Sequence, residues 1–159
     1  MTLTIRPITP ADIPQLLAMI RELATFEQLA DTLMATPEQL HQAFFASPPA
    51  AEARVLEDES GPVGFLVFYT TFSTFVGKPG LYLEDVYITP EKRGQGYGQQ
   101  ALQYLAQLAH GRGYGRLEWA VLNWNVEAIR FYDRLGAVPL SDWTTYRLDA
   151  SGITSLVSG

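Results

Sequence analysis

Six residues constrain this chain more than any others. Arg93-Gly94-Gln95-Gly96-Tyr97-Gly98 stands between a segment that reads as a strand and one that reads as a helix. Before it, Leu81 to Ile88 alternates. Leu81, Leu83, Asp85 and Tyr87 are expected on one face, and Tyr82, Glu84, Val86 and Ile88 on the other. After it, Ala101, Leu102, Leu105, Leu108 and Ala109 recur at helical spacing, and His110-Gly111 ends the run. Glycines let a backbone approach a ligand closely and adopt positive φ. A helix N-terminus offers free N–H groups and the positive end of a dipole. A strand, a glycine loop and a helix in that order make an anion cradle, and phosphate is the usual occupant.

Three phosphate-binding patterns compete for the loop. A Walker A loop needs Gly-Lys-Ser/Thr at its end, which is missing here. A dinucleotide fingerprint begins at Gly94 and Gly96, but Gln99 stands where its third glycine belongs, although Glu118 lies about where a ribose-binding acid sits. The third pattern is Arg/Gln-x-x-Gly-x-Gly/Ala, which Arg93, Gly96 and Gly98 satisfy in full.

Composition narrows the chemistry. The 159 residues carry 17 acids against 11 bases, a formal charge of −6, which disfavours general nucleic-acid binding. There is no Cys, so disulfides, a thiolate nucleophile and a Cys-ligated zinc site are excluded. Two His make a His-rich metal site a poor expectation, and none is expected. No apolar run approaches a membrane span, and the first residues lack a signal-peptide pattern. The expected location is therefore the cytoplasm. Charge is unevenly spread. Residues 1–77 hold nine acids and three bases, whereas residues 78–134 hold six and seven. A cationic ligand near the first half and an anionic one in the middle fit that division.

The remaining segments read as alternating elements. Thr4 to Ile8 is a short strand, and a helix follows with Asp12 as its expected cap. Thr36-Pro37-Glu38-Gln39 has the form of a capping box opening a second helix. Strands are expected at Ala53–Leu56, Val63–Thr71, Leu81–Ile88, Leu117–Leu122 and Trp143–Leu148, with a helix from Asn125 to Arg134 closed by Gly136. The order predicts an α/β (α+β) fold: one domain over 1–149, a mixed sheet and helices on both faces. Residues 150–159, small and polar, read as a frayed, flexible tail.

The third loop pattern is that of the GCN5-related N-acetyltransferase (GNAT) superfamily, and the resemblance extends beyond it. Leu83-Glu84-Asp85-Val86-Tyr87-Ile88 is similar to the strand that holds the pantetheine arm of acetyl-CoA. Asn123-Trp124-Asn125, Ala128, Phe131-Tyr132 and Gly136-Ala137 resemble the family's second CoA motif. Glu22-Leu23-Ala24, Phe26-Glu27, Phe72 to Phe75 with Gly77, and Tyr82 to Asp85 are similar to the diamine acetyltransferase branch, which includes spermidine/spermine and thialysine enzymes. The chain departs from polyamine enzymes of that branch at Phe26, usually Tyr, and at Ser73 and Phe75, where several have an acid and a Trp.

The resemblance implies a mostly antiparallel sheet with a splayed central strand pair that binds CoA. It implies acetyl-CoA as co-substrate, a small cationic amine as acceptor and a homodimer, with no metal, nucleic acid or membrane partner. Gly94, Gln95, Gly96, Tyr97 and Gly98 are then expected at the pyrophosphate, with Arg93 nearby. Val86, Tyr87 and Ile88 are expected along the pantetheine, and Asn125 and Tyr132 against the cofactor. Tyr132 is the candidate acid for the leaving thiolate, a role that suits a phenol of pKa near 10. Glu84 is the candidate base. Asp85 is expected on the opposite side of the strand unless a bulge intervenes. Glu27 is expected to anchor the cationic acceptor in an acidic pocket with Glu84 and Asp85, and Phe26 and Phe75 are expected against its methylenes or its charge. A peptide or protein amine as acceptor, and a non-catalytic acyl-CoA-binding module, are the alternatives.

Overall fold

A computed structural model of the chain describes residues 2–159. Its contacts divide it into two compact units, one ending at Ala120 and the other spanning Val121–Gly159.

The first unit is built on a five-stranded sheet in the order β1-β2-β3-β4-β5. The strands are β1 (Thr4–Pro7), β2 (Glu52–Asp58), β3 (Gly61–Ser73), β4 (Lys78–Ile88) and β5 (Leu117–Trp119). The first four pair antiparallel, and β5 joins β4 in parallel. β3 is the central strand, and its run from Val63 to Phe68 is buried, as its β-branched and aromatic residues dictate. Helix α1 (Ile13–Phe26) covers one face. Its Leu16, Met19 and Leu23 pack with Ala53, Phe65, Val67 and Tyr87 from the sheet. Helix α3 (Tyr97–Gly111) lies across β4 and buries Ala101, Leu102, Leu105 and Ala109. Burying a leucine such as Leu105 fully contributes roughly 1.5–3 kcal/mol. Arg54 ties α3 to the sheet: its Nε donates to Tyr104 Oη at 2.7 Å, and its guanidinium lies over the Phe68 ring.

Helix starts follow their side-chain chemistry. Helix α2 (Pro37–Phe45) opens on the expected capping box. Gln39 N–H donates to Thr36 Oγ1 at 3.2 Å, and Thr36 N–H to Gln39 Oε1 at 3.0 Å. The first helix departs from expectation. Asp12 does not cap it; its carboxylate reaches back to Thr9 N–H at 2.7 Å and takes a bidentate pair from Arg6. A short 3₁₀ turn at Pro10–Asp12 therefore precedes α1.

In the second unit, α4 (Val126–Arg134) ends at Gly136, whose φ of +86° suits glycine alone. Three expectations fail near and beyond the end of the sheet. β5 stops at Trp119 rather than Leu122. Trp143–Leu148 forms no strand and is highly exposed, with Trp143 78% accessible. A strand is stabilised by its partner's ladder, and this segment meets none within its unit. Residues 150–159 are not irregular. Asp149 accepts from Gly152 N–H at 2.9 Å and caps α5 (Ala150–Ser158).

Candidate functional site

The glycine loop takes the form its composition calls for. Gly94 and Gly96 have φ of +78° and +85°, and a Cβ built at either meets nothing within 4 Å. The chain is left-handed there and open on one side, which is what close approach by a ligand requires. Gly96 is also the N-cap of α3 and supplies no capping side chain. The first helical hydrogen bond is Gln100 N–H to the Gly96 carbonyl. Among the described residues, no protein acceptor takes the backbone N–H groups of Gly94, Gln95, Gly96, Tyr97 and Gly98. These donors point to an anion, helped by the helix dipole.

Arg93 is committed to the protein. Its Nε donates to the Ile88 carbonyl at 2.9 Å, and its guanidinium lies 5.1 Å from the Phe26 ring centre and 5.5 Å from that of Tyr87. It fastens the loop to the end of β4 and the end of α1. On the other side of the loop, Tyr97 Oη donates to Asp58 Oδ2 at 2.9 Å, and Lys92 Nζ pairs with the same oxygen at 2.8 Å.

The register of β4 changes the expected placement of its carboxylates. Val67 faces Asp85, but its neighbour Phe68 faces Leu83, so Glu84 is the extra residue of a bulge and has no partner on β3. The alternation reverses across it. Tyr82, Asp85 and Tyr87 share the face of Tyr69, Val67 and Phe65, the face that α1 covers. Asp85 was expected opposite Glu84; the bulge brings the two to the same side. Burial pushes the Asp85 carboxyl up to about 7, with the charges of Glu84 and then Glu27 adding to the effect. Glu27, just beyond α1, is also raised, first by burial and then by Glu84. The Tyr69 and Tyr82 phenols are raised by burial and by Glu84 as well. Three acids and two phenols thus sense one another as one cluster. An ammonium group is the natural complement of such a field, and a carboxyl poised near 7 is suited to moving protons. Sequence analysis quoted Tyr82 within the Tyr82–Asp85 match without giving it a role, and missed Tyr69, whose pairing with Tyr82 only the strand register reveals.

Beyond the bulge, β4 loses its neighbour. β5 pairs only with Leu81, Tyr82 and Leu83, so the β4 edge along Val86, Tyr87 and Ile88 is open toward β5. This is the splay expected of the central strands. Apart from the Ile88 carbonyl, which Arg93 holds, backbone groups directed to that edge can pair with an extended ligand.

The remaining candidates divide. Phe26 lies beneath Arg93. Phe75 sits at the tip of the β3–β4 hairpin, 97% exposed. Six residues of strand separate Lys78, where that hairpin closes, from Glu84, about 20 Å at the usual rise, so the fold does not bring Phe75 to the acids. In the second unit, Asn125 is the N-cap of α4, its Oδ1 accepting from Ala128 N–H at 3.3 Å. Tyr132 lies within α4, its ring 5.5 Å from that of Phe131.

A glycine loop with free backbone donors, following directly on an open strand edge that carries a cluster of carboxylates, is the arrangement of an acyltransferase. A model of the acetyltransferase (GNAT) family matches residues 17–137. The chain belongs to the GNAT acetyltransferase family. It is 38% identical over 149 residues to a thialysine N-ε-acetyltransferase of Caenorhabditis elegans, covering 92% of this chain and 91% of that protein. It is 28% identical to an L-ornithine N5-acetyltransferase of Arabidopsis thaliana, covering 96% and 86%. An integron cassette protein of Vibrio cholerae has the same fold, with a TM-score of 0.82 over 100% of this chain and 99% of its own at 21% identity. The relatives place the chain in the diamine acetyltransferase-like branch and make it an N-acetyltransferase.

Proposed function

We propose that this protein transfers acetyl from acetyl-CoA to a primary amine of a small cationic acceptor, a diamine, polyamine or lysine-like molecule. The observation that carries the reading is the bulge at Glu84, which gathers Glu84, Asp85 and the influence of Glu27 beside the open edge of β4. Relatives named for thialysine and ornithine, both amine-bearing amino acids, support the acceptor class.

In this reading the N–H groups of Gly94 to Gly98 hold the pyrophosphate and the β4 edge at Val86–Ile88 holds the pantetheine. A backbone N–H at that edge polarises the thioester carbonyl. The acidic cluster attracts the ammonium form of the acceptor. Glu84 takes its proton through water and leaves a lone pair on nitrogen. That lone pair attacks the carbonyl carbon directly, because the chain has no Cys to carry an acetyl group. As the C–N bond forms and the C–S bond breaks, Tyr132 gives its proton to sulfur, and the second proton that nitrogen sheds passes through water to restore the phenol. Asn125 orders the start of the helix that carries Tyr132. Residues 1–149 form the working domain, in a cytoplasmic homodimer.

The test is thiol release from acetyl-CoA against spermidine, spermine, putrescine, lysine, thialysine, ornithine and a basic peptide, with a no-acceptor control. Strong turnover of one small amine is the expected result. Turnover of the peptide alone moves the acceptor to proteins. Acetyl-CoA binding by calorimetry without turnover of any amine overturns the acceptor half of the proposal.

A further inference from the structure

We propose that Asp58 is a positioning residue that sets the span of the glycine loop, and thereby makes the enzyme discriminate for the phosphate-bearing end of its acyl donor. The inference rests on the reading of the loop as the pyrophosphate site.

Asp58 lies far from the loop in sequence, at the end of β2 where the chain turns into β3. Its own turn fixes it: Oδ1 accepts from Ser60 N–H at 2.8 Å and from Ser60 Oγ at 2.6 Å. The other oxygen, Oδ2, accepts from Lys92 Nζ at 2.8 Å and from Tyr97 Oη at 2.9 Å. The Asp58 side chain has no exposed surface. Lys92 immediately precedes Arg93, and Tyr97 is the first residue of α3. A single carboxylate oxygen therefore holds the two residues that bracket residues 93–96.

Two of those four residues are glycines at positive φ, whose freedom would otherwise let the loop sample many shapes. Fixing both ends removes much of that freedom before any ligand arrives, so less ordering is left for binding. The clamp also settles the charge. Lys92 is neutralised by Asp58 and Arg93 is turned to the Ile88 carbonyl, so the anion meets oriented backbone donors. The Lys92 ammonium and the Ser60 hydrogen bonds hold the Asp58 carboxyl well below the ordinary carboxylate range, so the clamp stays charged throughout the working pH range.

The test compares two donors, acetyl-CoA and S-acetylpantetheine, which lacks the pyrophosphate and the nucleotide. Asp58→Asn keeps the shape and removes the charge. The expected result is a KM for acetyl-CoA raised about tenfold, the worth of one misplaced donor to a charged group. The KM for S-acetylpantetheine and for the amine stays at the wild-type value. Asp58→Glu restores part of the preference. Equal losses with both donors, or none with either, overturn the clamp and leave Asp58 as a turn residue. If Asp58→Asn does not fold, Tyr97→Phe removes the second bond while keeping the buried ring, and the same donor comparison decides. A wild-type enzyme that does not prefer acetyl-CoA overturns the loop assignment itself, an outcome separable from failure of the clamp alone.

Discussion

Asp85 makes the acidic cluster testable without knowledge of the acceptor. Its carboxyl is held at about 7 instead of its ordinary 3.8, chiefly by burial and then by Glu84 and Glu27. Below about pH 4 the folded and unfolded chains both keep this proton, and it has no effect on stability. Between about 4 and 7 the unfolded chain has lost it and the folded chain has not. The unfolded state then binds fewer protons, so stability falls as pH rises. At about 1.36 kcal/mol for each tenfold change in proton concentration, the loss reaches at most about 4 kcal/mol above pH 7. Asp85→Asn keeps the size of the side chain and removes the titration. Its gain in stability over the wild type should be about 3 kcal/mol larger at pH 8 than at pH 5. Urea denaturation of the two proteins at those pH values measures the difference. An equal gain at both pH values would refute the reasoning, because it would mean that Asp85 ionises in the folded chain as freely as in water.

Three further predictions address the proposed chemistry and the loop. Tyr132→Phe removes the proton proposed for the leaving sulfur, so kcat should fall on the order of a hundredfold while acetyl-CoA affinity by calorimetry stays unchanged. Glu27→Gln should raise the amine KM roughly fivefold and lower kcat less, as expected for an anchor; a steady-state comparison with the reverse pattern would move Glu27 into the proton transfer. Gly96→Ala should lower stability by about 1–2 kcal/mol, since any other residue is strained at its φ of +85° although its Cβ meets no neighbour. Denaturation curves measure that, and titration calorimetry should show weaker acetyl-CoA binding in the same variant.

Much of the first unit was legible because its signals are local. The stripe of Ala101, Leu102, Leu105 and Ala109 lies within one helix, and the Thr36/Gln39 box closes over three residues. The glycine loop announced its own conformation. The bulge did not, because the alternation of Leu81 to Ile88 reads the same with or without one extra residue; only pairing with β3 reveals it. The bond from Asp58 to Tyr97 spans 39 residues and leaves no periodic trace. Trp143–Leu148 is rich in β-forming residues, but propensity does not supply a partner strand. Helix α5 was readable and was missed. Asp149 precedes it as a cap, and Ile153, Leu156 and Val157 fall at helical spacing, signals that the small residues around them obscured.

The missing partner of Glu84 has a consequence for how such a site can change over generations. Most residues of β4 are matched to a neighbour on β3, and replacing one disturbs a pair that contributes roughly 0.2–1 kcal/mol to the sheet. Position 84 has no such match to lose. Its side chain can be exchanged for a neutral, longer or basic one while the ladder on either side keeps its register. Folding therefore places little constraint on position 84, and selection there acts through the proposed proton transfer rather than through the sheet.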